Sequence, residues 1–206
     1  MINKFYRGAL GLALMLFVAS ASAEVFTFLK ITDNNPEDLS GQLSVSVTDA
    51  GSGLVSFEFL NNVGIASSVT QIYFDNGSGS YLSALSLGTQ TGVDFDIGGA
   101  PPNLPAGNTI SFTSDYRATA DSPVSQNGIN SSTDSLQLLG SGLFANIIAG
   151  LTSGDLRIGL HVQAIGQLGG SDSYVTTPSA VPVPAAAWLF MSGLGLFGIA
   201  RRRLHK

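Results

Sequence analysis

Asp94 and Asp96 stand two residues apart in Val93-Asp94-Phe95-Asp96-Ile97, where apolar and polar residues alternate. In an extended strand, residues i and i+2 point to one face, so the two carboxylates lie side by side. Oxygen ligands of this kind suit Ca²⁺, and Asp75 in the turn Asp75-Asn76-Gly77-Ser78-Gly79 offers another. The chain has no twelve-residue EF-hand loop and no nonapeptide Ca²⁺ repeat, so the competing reading is a solvated face of an acidic sheet.

His161, in Leu156-Arg157-Ile158-Gly159-Leu160-His161-Val162-Gln163, precedes the basic C-terminus that holds His205. A catalytic histidine needs a nucleophile and an acid beside it in space. Serine and aspartate are too plentiful here to mark a pair, and there is no G-x-S-x-G elbow. Glu24, Glu37 and Glu58 are the glutamates, and no aromatic cluster marks a sugar cleft for paired carboxylates. Gly193-Leu194-Gly195-Leu196-Phe197-Gly198 fits G-x-G-x-x-G but lacks the βαβ context that gives the pattern meaning. With no cysteine there is no disulfide, thiolate metal site or cysteine nucleophile. The sequence therefore predicts no catalytic residue, no cofactor and no enzyme, with Asp75, Asp94 and Asp96 as the candidate Ca²⁺ ligands.

The elements that would position these residues read as strands. Val25 to Leu29 forms a first strand. Leu43, Val45 and Val47 alternate with Ser44, Ser46 and Thr48, and Val55, Phe57 and Phe59 alternate with Ser56 and Glu58 across the turn Asp49 to Gly53, a hairpin signal. Ser67 to Phe74 is another strand, and Tyr81 to Leu87 returns from its Gly-rich turn. Val93 to Ile97, Thr109 to Thr113 and Leu156 to Ile165 complete the set. Phe144, Ile147, Ile148 and Leu151 have helical spacing, which predicts a short helix over Gly142 to Leu151. The loop Gly98 to Gly107 is too rich in Gly and Pro for regular structure. Short strands with Gly and Pro turns predict an antiparallel β-sandwich over 24–175, followed by a linker over 176–181.

Composition agrees with a packed but weakly charged domain. Of the 206 residues, 44 % are hydrophobic and 11 % charged, against roughly 25 % charged in ordinary soluble domains. Between Glu24 and Asp172 lie all fourteen acidic residues but three basic ones, Lys30, Arg117 and Arg157. Such a surface repels nucleic acid, so no nucleic-acid partner is expected.

The remaining basic residues sit at the two ends. Lys4 and Arg7 precede an apolar stretch, Leu10 to Val18, and then Ala21-Ser22-Ala23. Basic start, apolar core and small residues make a secretory signal peptide over 1–23, cut after Ala23 and before Glu24 by signal peptidase following export by the Sec machinery. At the other end, Pro182-Val183-Pro184 leads into the apolar run 185–200 and the basic tail 201–206. As a helix the run would reach roughly 24 Å at about 1.5 Å per residue, enough to span a membrane once its flanks are added. Trp188 suits the outer interface, and Arg201, Arg202 and Arg203 stay cytoplasmic as a stop-transfer signal.

Val181-Pro182-Val183-Pro184-Ala185-Ala186-Ala187-Trp188-Leu189-Phe190, with the Gly-rich apolar run and the arginines behind it, resembles a PEP-CTERM protein-sorting signal. It is similar to the variant that opens Val-Pro-Leu-Pro-Ala-Ala-Ala-Trp-Leu-Phe. Val183 stands where the name-giving motif has Glu, which leaves the exosortase subtype and the bond cut open. The resemblance implies an exosortase substrate of a Gram-negative bacterium. Such a substrate is held transiently in the inner membrane and cut near the Pro motif. It then becomes a cell-surface, secreted or extracellular-matrix protein linked to exopolysaccharide and biofilm. Segments Val63 to Ser68 and Leu156 to Gln163 resemble ectodomains found with such tails, which carry no activity over. The alternative is an exported carbohydrate- or Ca²⁺-binding module, or a hydrolase, using the same tail.

Overall fold

Strand β1 (Glu24–Lys30) explains the architecture, because it belongs to two sheets. Its first half, Glu24 to Thr27, pairs with Ser44 to Val47 of β2 (Leu43–Gly51). Its second half, Phe28 to Lys30, pairs with Tyr174 to Thr176 of β10 (Ser171–Thr176). The computed structural model describes residues 23–178 except 79. Among them the strand order is β5-β8-β3-β2-β1-β10-β9-β4-β7-β6, with every pair antiparallel. Strands β5, β8, β3 and β2 form sheet A with the start of β1. Strands β10, β9, β4, β7 and β6 form sheet B with its end.

The remaining strands are β3 (Leu54–Asn61), β4 (Ser68–Asp75), β5 (Ala84–Thr91), β6 (Phe95–Ile97), β7 (Tyr116–Ala120), β8 (Ser135–Ser141) and β9 (Arg157–Gln163). The sheets face each other over one core. Phe57 of sheet A meets Phe74 of sheet B edge-on, with centroids 5.1 Å apart at 76°, and Phe59 meets the same ring at 6.3 Å. Phe26, Phe28, Val45 and Val47 fill in from β1 and β2. This is the period-2 alternation of a sandwich with apolar residues turned inward. Mutual burial of those rows is the main stabilising term, at about 25 cal/mol per Å² of apolar surface.

Helix α1 (Val124–Asn127) is a single turn that the sequence reading did not anticipate. Helix α2 (Phe144–Ser153) matches the expected helical spacing and buries Ile147 and Leu151 in the core. It stops at Gly154, whose φ of 79° is the left-handed conformation that glycine enters cheaply, and whose N–H returns to the Gly150 carbonyl.

Four expectations are corrected. Thr109 to Thr113 is not a strand: Gly107–Ile110 is one turn of 3₁₀ helix, because the Thr109 hydroxyl and N–H both turn back onto the Ala106 carbonyl instead of a neighbouring strand. Tyr81 to Leu87 does not return beside β4. The chain crosses to sheet A, where β5 pairs with β8. Asn76 drives that crossing by holding Leu82 through both its backbone groups, at 2.9 and 2.8 Å. Val93 to Ile97 is strand only from Phe95 onward. β10 ends at Thr176, which is buried, so the folded part reaches one residue past the expected limit at 175.

β7, β8 and β10 were not anticipated, since they are polar or Gly-containing segments whose pairing comes from distant partners. No helix among the described residues is long and apolar enough to cross a membrane. The proposed signal peptide 1–23 (bar its last residue), the end of the linker, the Pro motif 182–184, the apolar run 185–200 and the tail 201–206 lie outside the described residues.

Candidate functional site

The outward face of sheet B carries most of the unusual polar chemistry. Residues opposite each other in a ladder share a face. Gln71 of β4 is opposite His161 of β9 and Thr119 of β7, so all three point outward, and Tyr73 follows on the same row as Gln71. The His161 ring Nδ1 lies 2.8 Å from Gln71 Oε1. That oxygen only accepts, so Nδ1 carries the proton and donates. The orientation of Gln71 is fixed, because its Nε2 donates to the Ala100 carbonyl at 2.7 Å. The Tyr73 hydroxyl donates to the same Gln71 oxygen at 2.9 Å, with the Pro101 carbonyl at 3.3 Å.

The Gly98–Ser114 segment forms a roof over this face. Leu104 and Phe112 descend onto Tyr73 as a second small apolar cluster. Gly159 makes room for them: a Cβ there would come within 2.7 Å of Leu104 Cδ2 and 3.1 Å of Phe112 Cζ. Arg117 holds the roof from one side, donating to the carbonyls of Gly99 at 2.7 Å and Pro102 at 3.3 Å. Arg157 holds it from the other, donating to the carbonyls of Ile110 and Ser111 and lying 5.2 Å from the Phe112 ring centroid.

Burial under this roof shifts two groups. The His161 pKa is lowered, chiefly because burial disfavours the imidazolium, with the Asp172 charge partly opposing. The Tyr73 hydroxyl is raised by the same desolvation. His161 is thus a neutral hydrogen-bond donor to an amide. Its Nδ1 meets no carboxylate, so the acid–base–nucleophile relay of a hydrolase is not assembled here.

The Ca²⁺ candidates are not brought together. Asp75 is buried and paired with Arg157, and its other contacts are the N–H groups of Gly77 and Thr113. Asp94 and Asp96 are exposed on either side of buried Phe95, as the alternation requires. Asp96 is in register with Thr119 and so with Gln71, four residues along β4 from Asp75. That is roughly 13 Å along the strand alone. No group of three or more His, Asp or Glu capable of holding a metal occurs among the described residues. Of the signal-cleavage residues, Ala23 is exposed and Glu24 opens β1, while Ala21 lies outside the described residues, as do Val181, Pro182, Val183, Pro184, Trp188 and Arg201 to Arg203.

A second cleft, of about 290 Å³, is lined by Tyr81, Ser83, Ser141, Leu143 and Asn146 among others. The Tyr81 hydroxyl donates to Asp155 Oδ2 at 2.7 Å. That bond holds the Asp155 carboxyl below its usual range and raises the Tyr81 hydroxyl. Sequence reading missed this pair and the Gln71–Tyr73–His161 cluster, since their members are distant in the chain. One signal was available. Lys30, Arg117 and Arg157 stand alone among fourteen acids, and the structure places each of them at a fastening point.

The chain is thus an antiparallel β-sandwich with one roofed outer face. No family model and no curated protein matches it. Among solved structures, a chain from work on pH-induced modulation of Streptococcus parasanguinis adhesion by Fap1 fimbriae resembles it with a TM-score of 0.44 and 12 % identity, over 80 % of this chain and 99 % of that one. A likeness of that size extends to neither function nor partner.

Proposed function

We propose that this chain is an exported, non-enzymatic surface or matrix protein of a Gram-negative bacterium, delivered by its C-terminal sorting signal and processed by an exosortase. The observation that carries the reading is the order of the tail: Val181-Pro182-Val183-Pro184, then the apolar run, then Arg201-Arg202-Arg203. The position of the folded domain supports it. Among the described residues the sandwich opens at Glu24 and its last strand ends at Thr176, before the Pro motif begins in the sequence. Pro182 and Pro184 disfavour helix and keep that segment extended, the form in which a protease grips its substrate.

Support for a non-enzymatic role comes from the polar groups themselves. Gln71, Tyr73, His161 and Asp75 are engaged with one another, with Arg157 or with the roof. They serve as fastenings. Exopolysaccharide is the expected neighbour of the released domain. A second reading, a carbohydrate-binding module, is favoured by the Tyr81 cleft, whose ring, hydroxyls and amide suit a neutral sugar.

The test is the intact mass of the mature protein from the cell surface and medium, in strains with and without the exosortase. Loss of everything beyond the Pro motif only when the enzyme is present supports the reading. A mass that retains Arg201 to Lys206 in both strains overturns the sorting proposal.

A further inference from the structure

Lys30 takes the third place in the inward row of β1, after Phe26 and Phe28, where the alternation expects another apolar side chain. Asp172 sits on the inward row of β10, two residues before Tyr174, which is the register partner of Lys30. The two are diagonal neighbours on the first and last strands. Their side chains are 13 % and 0 % exposed, and Lys30 Nζ lies 3.3 Å from Asp172 Oδ2. Nζ also contacts Asp33 Oδ1 at 3.4 Å, the Glu37 carbonyl at 3.1 Å and the Asn35 carbonyl. Three donors hold the carboxylate. The Thr32 hydroxyl and the Asn34 N–H reach Oδ1 at 2.7 and 2.9 Å, and the Asn35 N–H reaches Oδ2 at 3.1 Å.

We propose that this pair closes covalently, so that Lys30 Nζ and Asp172 Cγ form an intramolecular isopeptide bond. The ammonium first passes a proton to Oδ2, leaving a neutral amine beside a neutral carboxylic acid. The amine lone pair then attacks Cγ and the C–N bond forms. Negative charge develops on Oδ1, which already accepts from Thr32 and Asn34 in the manner of an oxyanion hole. A second proton moves from nitrogen to the Oδ2 hydroxyl, directly or through the exposed carboxylate of Asp33. The Cγ–Oδ2 bond breaks and water leaves. One ammonium and one carboxylate become one amide and one water, with no oxidant, reductant or cofactor.

The strand ladder supplies the proximity that such a reaction needs. The remaining amide N–H keeps a carbonyl partner at Asn35 or Glu37. The pair Arg157–Asp75 has no such route, since a guanidinium stays charged and is no nucleophile. In a chain without cysteine, the bond would clasp the first strand to the last in the way a disulfide otherwise does.

The test is mass spectrometry on the purified, folded full chain. The expected result is an intact mass lower by one water, no tryptic cleavage after Lys30, and a branched peptide that contains both Lys30 and Asp172. Lys30→Arg keeps the ion pair but cannot form the amide, so it and Asp172→Ala should both restore the full mass. An unmodified mass with normal cleavage after Lys30 overturns the proposal. So does loss of water without a branched peptide, which marks dehydration elsewhere.

Discussion

The two outer faces of the sandwich are built on the same alternation and end up as different surfaces. On sheet A, the register sets Val25, Ser46, Glu58 and Gln137 in one row and Thr27, Ser44 and Leu60 in another. With Thr48, Ser56 and Ser86, this face is a field of small hydroxyls with Glu58 as its charge, and among the described residues no segment roofs it as 98–114 roofs sheet B. Its side-chain hydrogen bonds join neighbouring strands, such as Gln137 Nε2 to Ser56 Oγ at 2.8 Å. On sheet B, Tyr73 stands beside the gap at Gly159, and the Gly98–Ser114 segment fills that gap with Leu104 and Phe112. One bulky residue opposite one glycine is enough to create a socket, and a socket is what a Pro-rich loop needs to become ordered. The roofed face should therefore matter for stability and the bare face for contact with whatever surrounds the protein.

The strongest way to break that contrast is to cut the fastening of the roof. Asp75→Ala leaves the Arg157 guanidinium largely buried without its carboxylate, and the expected cost is about 3 kcal/mol. Chemical denaturation should show it, with increased hydrogen exchange in residues 98–114. Filling the socket comes next. Gly159→Val forces Leu104 and Phe112 outward and should cost about 2 kcal/mol through overpacking. A neutral result for either variant would mean that the roof is not coupled to the sandwich.

A pH series sharpens the contrast with a smaller effect. The folded pKa of His161 lies below its ordinary value of 6.5 because of burial. Above that value both folded and unfolded states are neutral, and the residue contributes nothing to pH dependence. As pH falls below 6.5 the unfolded chain binds the proton first, so stability decreases until the lowered folded pKa is passed and is then level. His161→Gln should remove that slope between neutral and mildly acidic pH while leaving stability at pH 8 nearly unchanged. Thermal melts at matched pH values in both proteins would measure it. The smallest effect belongs to the bare face, where Ser46→Ala should change stability by less than about 0.5 kcal/mol. A larger loss would show that the hydroxyl field is structural after all.

Much of the sandwich is legible in the sequence where a strand alternates cleanly. Leu43 to Val47 and Val55 to Phe59 declare their inward rows, and the Phe144–Leu151 spacing declares α2. β7, β8 and β10 do not, because Tyr-Arg-Ala-Thr-Ala or Ser-Asp-Ser-Tyr-Val-Thr becomes strand through the partners on either side. Thr109 to Thr113 misleads for the converse reason. Its β-forming residues have no ladder to join, and local hydrogen bonds turn them into 3₁₀ helix.

By itself the sequence determined what composition and linear order can encode. It set an uncysteined, acidic, alternating chain between two basic ends, and the order of Pro motif, apolar run and arginines at residues 182–206. These are properties of neighbours along the chain, or of sums over it. The tertiary structure alone decided that β1 serves two sheets, and that Asn76 sends the chain across the core. It also decided that Asp75 meets Arg157 rather than Asp94 or Asp96, and that Lys30 faces Asp172. Apart from the Asn76–Leu82 contact, which spans six residues, those outcomes depend on pairs separated by tens to more than a hundred residues. Such pairs meet only after the apolar rows of both sheets have closed on one another, and no local pattern records which distant partner will be there.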